Sequence, residues 1–131
     1  MLVSEEVKEL AVQIFDADPK IVHQGIIDLE GHILLDQSAA AHEAMEPDPD
    51  RIKFYNQISQ RRNSREHFDA VYGKTEYIHI IRENMQQMIL YLPMITIYLT
   101  LEKSITPEEV KAAALKIKFI DNEFITNAIN S

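Results

Sequence analysis

The chain has no cysteine, which excludes a disulfide framework, a thiolate metal site and a thiol nucleophile and fits a reducing compartment. Its three glycines, Gly25, Gly31 and Gly73, stand too far apart to form a phosphate-cradling loop. It has no run of about 18 uncharged apolar residues, so nothing reads as a membrane-spanning helix. The longest candidate, residues 85–101, is interrupted by Gln86, Gln87, Pro93, Thr96 and Thr100 and reads better as two strands. The first residues are charged almost at once, with Glu5, Glu6 and Lys8, and lack the apolar centre of a signal peptide. The expectation is a cytoplasmic protein that does not engage a membrane.

What is present is an ordinary globular composition. The 131 residues are 46% hydrophobic and 26% charged, which suits one domain over 1–131. A chain of this size buries about two-thirds of its unfolded surface without covalent staples. The net charge of −8 is unevenly spread. Residues 1–49 carry 11 acids and 2 bases, residues 50–82 carry 4 acids and 7 bases, and residues 83–131 carry 6 acids and 4 bases. The overall acidity argues against nucleic acid as a partner. The middle segment is a basic island in an acidic chain.

Ser4 caps a first helix, in which Val7, Leu10, Ala11, Ile14 and Phe15 form one apolar stripe. Residues 21–28 and 32–36 read as a hairpin turning at Leu29, Glu30 and Gly31. Residues 37–50, with Pro47 and Pro49, read as a loop with room for one helical turn in its alanines. Residues 51–72 read as a helix with Asp50 as its cap and Gly73 as its stop. Strands follow at 75–82, 87–92 and 94–101, the last two separated at Pro93. Thr106, Pro107 and Glu109 form a capping box that starts a last helix. Its stripe of Val110, Ala113, Ala114, Ile117, Ile120 and Phe124 carries it to about residue 128.

The order α-β-β-α-β-β-β-α, with short turns between consecutive strands, implies an α+β fold: a five-stranded antiparallel sheet with helices on its faces. Alternation in the last strand sends Ile95, Ile97, Leu99 and Leu101 to one face, under the first and last helices, and Met94, Thr96, Tyr98 and Thr100 to the other.

No catalytic constellation stands out. His23, His32, His42, His67 and His79 lack metal-ligand spacing, no serine sits in a nucleophile elbow, and Asp48 and Asp50 lie in a proline-rich loop. No enzyme activity, metal or cofactor is expected. In the middle helix Phe54, Ile58, Arg61, Arg65, Phe68 and Tyr72 fall on one broad face. Two arginines would thus interrupt an apolar seam, and burying them requires partners. Either the helix breaks at Asn63 and Ser64, with Ser64 capping a second piece, or the arginine stems snorkel, or the arginines meet anions. The candidate partner-binding set is Arg61, Arg62, Arg65, Tyr77, His79 and Arg82, facing carboxylates of the stretch 43–50 or of an acidic partner.

The hairpin residues 26–34 and the meander 75–101 resemble the roadblock/dynein-light-chain branch of the profilin-like fold, over about residues 4–120. The pattern of Arg65, Phe68, Asp69, Gly73, Tyr77 and Arg82 is also similar to short uncharacterised proteins of ammonia-oxidising archaea. The resemblance implies noncatalytic homodimers or heterodimers that act as scaffolds, or as regulators of small GTPases and motors, with the third strand at the sheet edge. The other reading is a PAS-like sensor holding a small ligand between the sheet and the middle helix.

Overall fold

The computed structural model describes residues 4–40 and 48–130. Helix α1 spans Glu5–Phe15 and is followed by strands β1 (Ile21–Asp28) and β2 (Ile33–Ser38). Helix α2 (Pro49–Glu66) and a one-turn helix α3 (Asp69–Tyr72) lead to β3 (Ile78–Ile81), β4 (Gln86–Leu92) and β5 (Ile95–Leu101). Helices α4 (Pro107–Lys118) and α5 (Asn122–Ile129) close the described chain. The strands form one sheet in the order β2-β1-β5-β4-β3, and every pairing is antiparallel.

The helix starts follow from local chemistry. The Ser4 side chain accepts from Val7 N at 3.2 Å. At α4, Thr106 Oγ1 accepts from Glu109 N at 3.1 Å while Glu109 Oε1 accepts from Thr106 N at 3.0 Å, so two orphan donors are satisfied reciprocally. Between β1 and β2, Gly31 takes φ 91°, a conformation that side chains disfavour.

The two faces of the sheet are covered differently. On one face α1, α4 and α5 bury Val7, Leu10, Ile14, Val110, Ala114, Ile117 and Ile125 against Ile26, Leu90, Ile95, Ile97, Leu99 and Leu101. This is the apolar set that alternation assigns to β5. On the other face α2 lays Tyr55 and Ile58 on Ile27, Ile89 and Tyr98, with Phe54 packed alongside.

Several boundaries differ from expectation. Asp48, not Asp50, caps α2, accepting from Arg51 N at 2.9 Å. Pro49, which has no N–H to be capped and a fixed φ, takes the first helical position. The helix does not run through to residue 72, nor does it break at Asn63 and Ser64. Ser64 Oγ donates to Gln60 O at 3.2 Å inside the helix, and the break falls at His67 and Phe68. Strand β3 pairs only over residues 78–81 of the expected 75–82, and β2 continues to Ser38. The last helix breaks after Lys118, where Asp121 caps a separate α5 by accepting from Glu123 N at 2.9 Å. Residues 41–47, with His42, part of the alanine stretch and most of the acidic stretch 43–50, lie outside the described residues.

Candidate interaction surface

Helix α2 is seated by polar contacts as much as by apolar ones. Its buried stripe is Tyr55, Ile58, Ser59 and Arg62, at spacings that define one helical face. This corrects the expected seam. Arg61 and Arg65 point outward, and Phe68 and Tyr72 lie beyond the helix break, so they never extended that face. The inward arginine is Arg62, only 7% exposed.

The Arg62 guanidinium is held on three sides. Nη1 donates to Ile95 O at 2.7 Å and Thr96 Oγ1 at 3.0 Å, and Nη2 donates to Leu92 O at 2.8 Å. Nε lies 3.2 Å from Glu66 Oε2 in an ion pair whose angle falls outside a hydrogen bond. The plane also lies over the Tyr91 ring, 5.1 Å from its centroid. A buried cation is costly unless its donors are met. Here the carbonyls that flank the β4–β5 turn and the Thr96 hydroxyl meet the Nη donors, and Glu66 balances the charge beside Nε, so Arg62 fastens the C-terminal half of α2 to that turn.

The N-terminal half is fastened by a second polar cluster. Asp36 of β2 is fully buried. Its carboxylate contacts His23 Nε2, accepts from Tyr55 Oη at 2.8 Å and lies 3.0 Å from Arg51 Nε. Burial acts to raise the Asp36 carboxyl; the hydrogen bonds from His23 and Tyr55, with the charge of Arg51, outweigh it and hold it below the ordinary carboxylate value. Burial, followed by the negative charge of Asp36, pushes Tyr55 up, so its hydroxyl remains a neutral donor. Tyr55 reaches Asp36 because β1 presents Gly25 beneath the ring, where a Cβ would stand 2.1 Å from Tyr55 Oη. Phe54, Tyr55 and Tyr98 meet edge to face, with centroids 4.9 Å to 6.0 Å apart. The space in which a sensor would hold its ligand is filled by these side chains.

The six candidate residues are not gathered into one patch. Arg61 is exposed on α2. Arg65 Nη1 donates to Tyr91 Oη at 2.7 Å, and Arg82 Nε donates to Gln87 Oε1 at 2.8 Å. Tyr77 packs against the core of the opposite face, and His79 Nε2 contacts Gln86 Oε1 at 2.6 Å. Arg62 is consumed in holding α2. Among the described residues the carboxylates that meet arginines are Asp36, with Arg51, and Glu66, with Arg62.

Among the described residues, a sheet edge and the stretch past α2 are open to a partner. Strand β3, like β2 at the opposite edge, is paired on one side. Past α2, Phe68, Val71 and Tyr72 are exposed, and large apolar side chains gathered at a surface usually mark a contact. The aromatic spacing near residue 70 was visible in the sequence, while the edge position of β3 came from the family resemblance. The buried cluster was missed; the signal that could have found it is Gly25 inside a strand, where a glycine marks a close approach by another group.

A single antiparallel sheet in this order, with α2 on one face and α1 and α4 on the other, is the roadblock-like arrangement of the profilin-like fold. Among solved structures, the chain is similar to MglB with tetrameric arrangement, with a TM-score of 0.73 and 12% identity over 98% of this chain and 96% of that one. The gliding protein MglB from Thermus thermophilus aligns with a TM-score of 0.71 and 11% identity, over 100% of this chain and 96% of that one. A Roadblock/LC7 domain from Streptomyces avermitilis gives a TM-score of 0.60 and 7% identity, over 94% and 97% of the two chains. At these identities the likeness establishes the fold. No protein-family profile matches the chain, and no curated protein matches it in sequence.

Proposed function

We propose that this protein is a noncatalytic interaction module that works as a homodimer and regulates or scaffolds a small GTPase or a signalling complex. The observation that carries the reading is end-to-end likeness to the MglB fold, with 96% of that chain covered, joined to the one-sided pairing of β3. An unpaired strand edge invites association unless something covers it. Two-fold pairing of β3 with its copy satisfies both edges at once, since an isologous contact uses the same surface twice. The outward face of α2 carries Lys53, Arg61 and Arg65 in a chain of net charge −8, which suits an acidic partner. The sensor reading is not favoured, because α2 and the sheet are in direct contact through Tyr55, Ile58 and Tyr98.

The test is sedimentation equilibrium of the intact chain, alone and with a proline placed at Ile81 in β3, whose N–H faces away from β4 because Arg82 N, one position on, bonds to Met85 O. The reading expects a dimer that the proline, which removes a ladder donor, converts to monomer. A monomer at high micromolar concentration contradicts it.

A further inference from the structure

The β4–β5 turn and the end of α2 enclose a cleft that the seating of α2 does not use. One part, of about 190 Å³, is lined by Glu66, Asp69, Lys74, Thr75 and Tyr91, with the buried Arg62 as its wall. It adjoins an open groove of about 430 Å³ that shares Asp69 and Thr75 and adds Arg65, Phe68, Tyr72 and Gly73. We propose that this cleft is a docking site for an acidic segment of a protein partner that carries one aromatic or branched apolar side chain. The proposal deepens the interaction-module reading and rests on it.

Three observations define that occupant. The first is apolar surface left bare: Phe68 is 53% exposed and Tyr72 82%. The Phe68 and Tyr72 rings lie 6.3 Å apart and tilted, so they offer a corner that one more ring or branched side chain fits. Aromatic anchors of this kind supply most of the energy in small interfaces.

The second is charge. Arg62, Arg65 and Lys74 face Glu66 and Asp69 around the cleft. Glu66 is already paired with Arg62, which leaves Arg65 and Lys74 against Asp69, with Arg61 one turn back on α2. The cleft is therefore cationic in a chain of net charge −8, and carboxylates are the complementary groups. Arg65 offers a planar fork suited to them.

The third is preorganisation. Arg62 fixes one wall through the carbonyls of Leu92 and Ile95. Arg65 is already extended across the cleft to Tyr91 Oη. Gly73, at φ 83°, turns the chain out of α3 with nothing within 4 Å of where its Cβ would stand, so the groove stays open on that side. A site whose walls are set before binding loses less entropy on forming a complex.

The experiment titrates the intact, 15N-labelled chain with a capped peptide of five acidic residues around one central phenylalanine. Two further peptides serve as controls, one with lysines in place of the acids and one with glycine in place of the phenylalanine. The expected result is saturable amide shifts confined to residues 65–75, 91 and 92, from the acidic aromatic peptide alone. Tyr72→Ala and Arg65→Glu should each weaken binding by about tenfold, the size of one significant interface contact, and added salt should weaken binding to the parent chain. Both side chains are exposed, so both variants should fold. Absence of shifts at millimolar peptide overturns the proposal. So do shifts elsewhere, or equal binding of the lysine peptide. Sedimentation of the same samples separates this claim from the dimer. A monomer that binds the peptide refutes the dimer alone, and a dimer that does not bind it refutes the cleft alone. If Tyr72→Ala dissociates the dimer, the cleft is a contact between copies and the proposal fails.

Discussion

The two faces of the sheet solve the same problem in different ways. Under α1, α4 and α5 the contact is a continuous apolar layer of Val, Leu, Ile and Ala, with uncharged polar ties from Gln24 Nε2 to Ala11 O at 2.8 Å and from Gln86 Nε2 to Ile105 O at 3.1 Å. Under α2 the buried apolar cluster is Ile27, Tyr55, Ile58, Ile89 and Tyr98, and it is flanked at both ends by buried charges, Asp36 and Arg62. Apolar burial is non-directional and involves no titrating group. Charged hydrogen bonds are directional and fail sharply when one partner is lost. The apolar face holds the fold together, and the α2 face holds one helix in one register, the helix that the functional reading presents to a partner.

The largest test of that contrast removes Arg62. Arg62→Ala leaves the carbonyls of Leu92 and Ile95 and the Thr96 hydroxyl without their donor, and each buried acceptor left unpaired costs about 1–3 kcal/mol. Urea unfolding should report that loss. Arg62→Lys should not restore it, because an ammonium cannot span three acceptors in a plane. If Arg62→Ala unfolds at the parent midpoint, the charged fastening is ornamental.

Gly25→Ala comes next. The added Cβ meets the Tyr55 ring at 2.1 Å to 2.5 Å, so the ring must leave Asp36 or the helix must lift. Overpacking of this kind costs about 1–3 kcal/mol. Near-ultraviolet circular dichroism of the tyrosines should change with it, and an unaltered spectrum would show that the close approach is not tight.

Thr106→Ala, on the apolar face, removes the cap of α4 and should cost about 1 kcal/mol, with no effect on α2. A change in the tyrosine signal would show the two faces to be coupled.

The last contrast is a dependence on pH. Asp36 is held below its ordinary value, so its contribution is complete above the unfolded carboxyl value of about 3.9. It is lost as pH falls through the lower folded value. Asp36→Asn should therefore lower stability near neutrality and flatten its fall in acid. An unchanged acid limb would mean that Asp36 does not carry that charge.

The apolar face was largely legible in the sequence. The stripe of α1, the alternation of β5 and the capping box at Thr106 each follow from residues within a few positions of one another, where local periodicity is informative. The α2 face was not, because its decisive contacts are remote in sequence. Arg62 is buried by carbonyls some 30 positions away, and Tyr55 by a glycine in β1 and a carboxylate in β2. Counting a helical face from Phe54 through Phe68 and Tyr72 continued the helix past a break that nothing in the local spacing marks. Of the candidate residues, the sequence located the basic island. Only the fold separates Arg62, which is structural, from Arg61 and Arg65, which face outward.

Native-state hydrogen exchange tests the contrast most directly, because it resolves the stability of each helix within the folded chain. The amides of α2 should open at a lower free energy than those of α4 and β5, and Arg62→Ala should lower α2 further while leaving α4 protected. If α2 and α4 exchange together, in the parent chain and in the variant alike, the two faces form one cooperative unit and the distinction drawn between them is wrong.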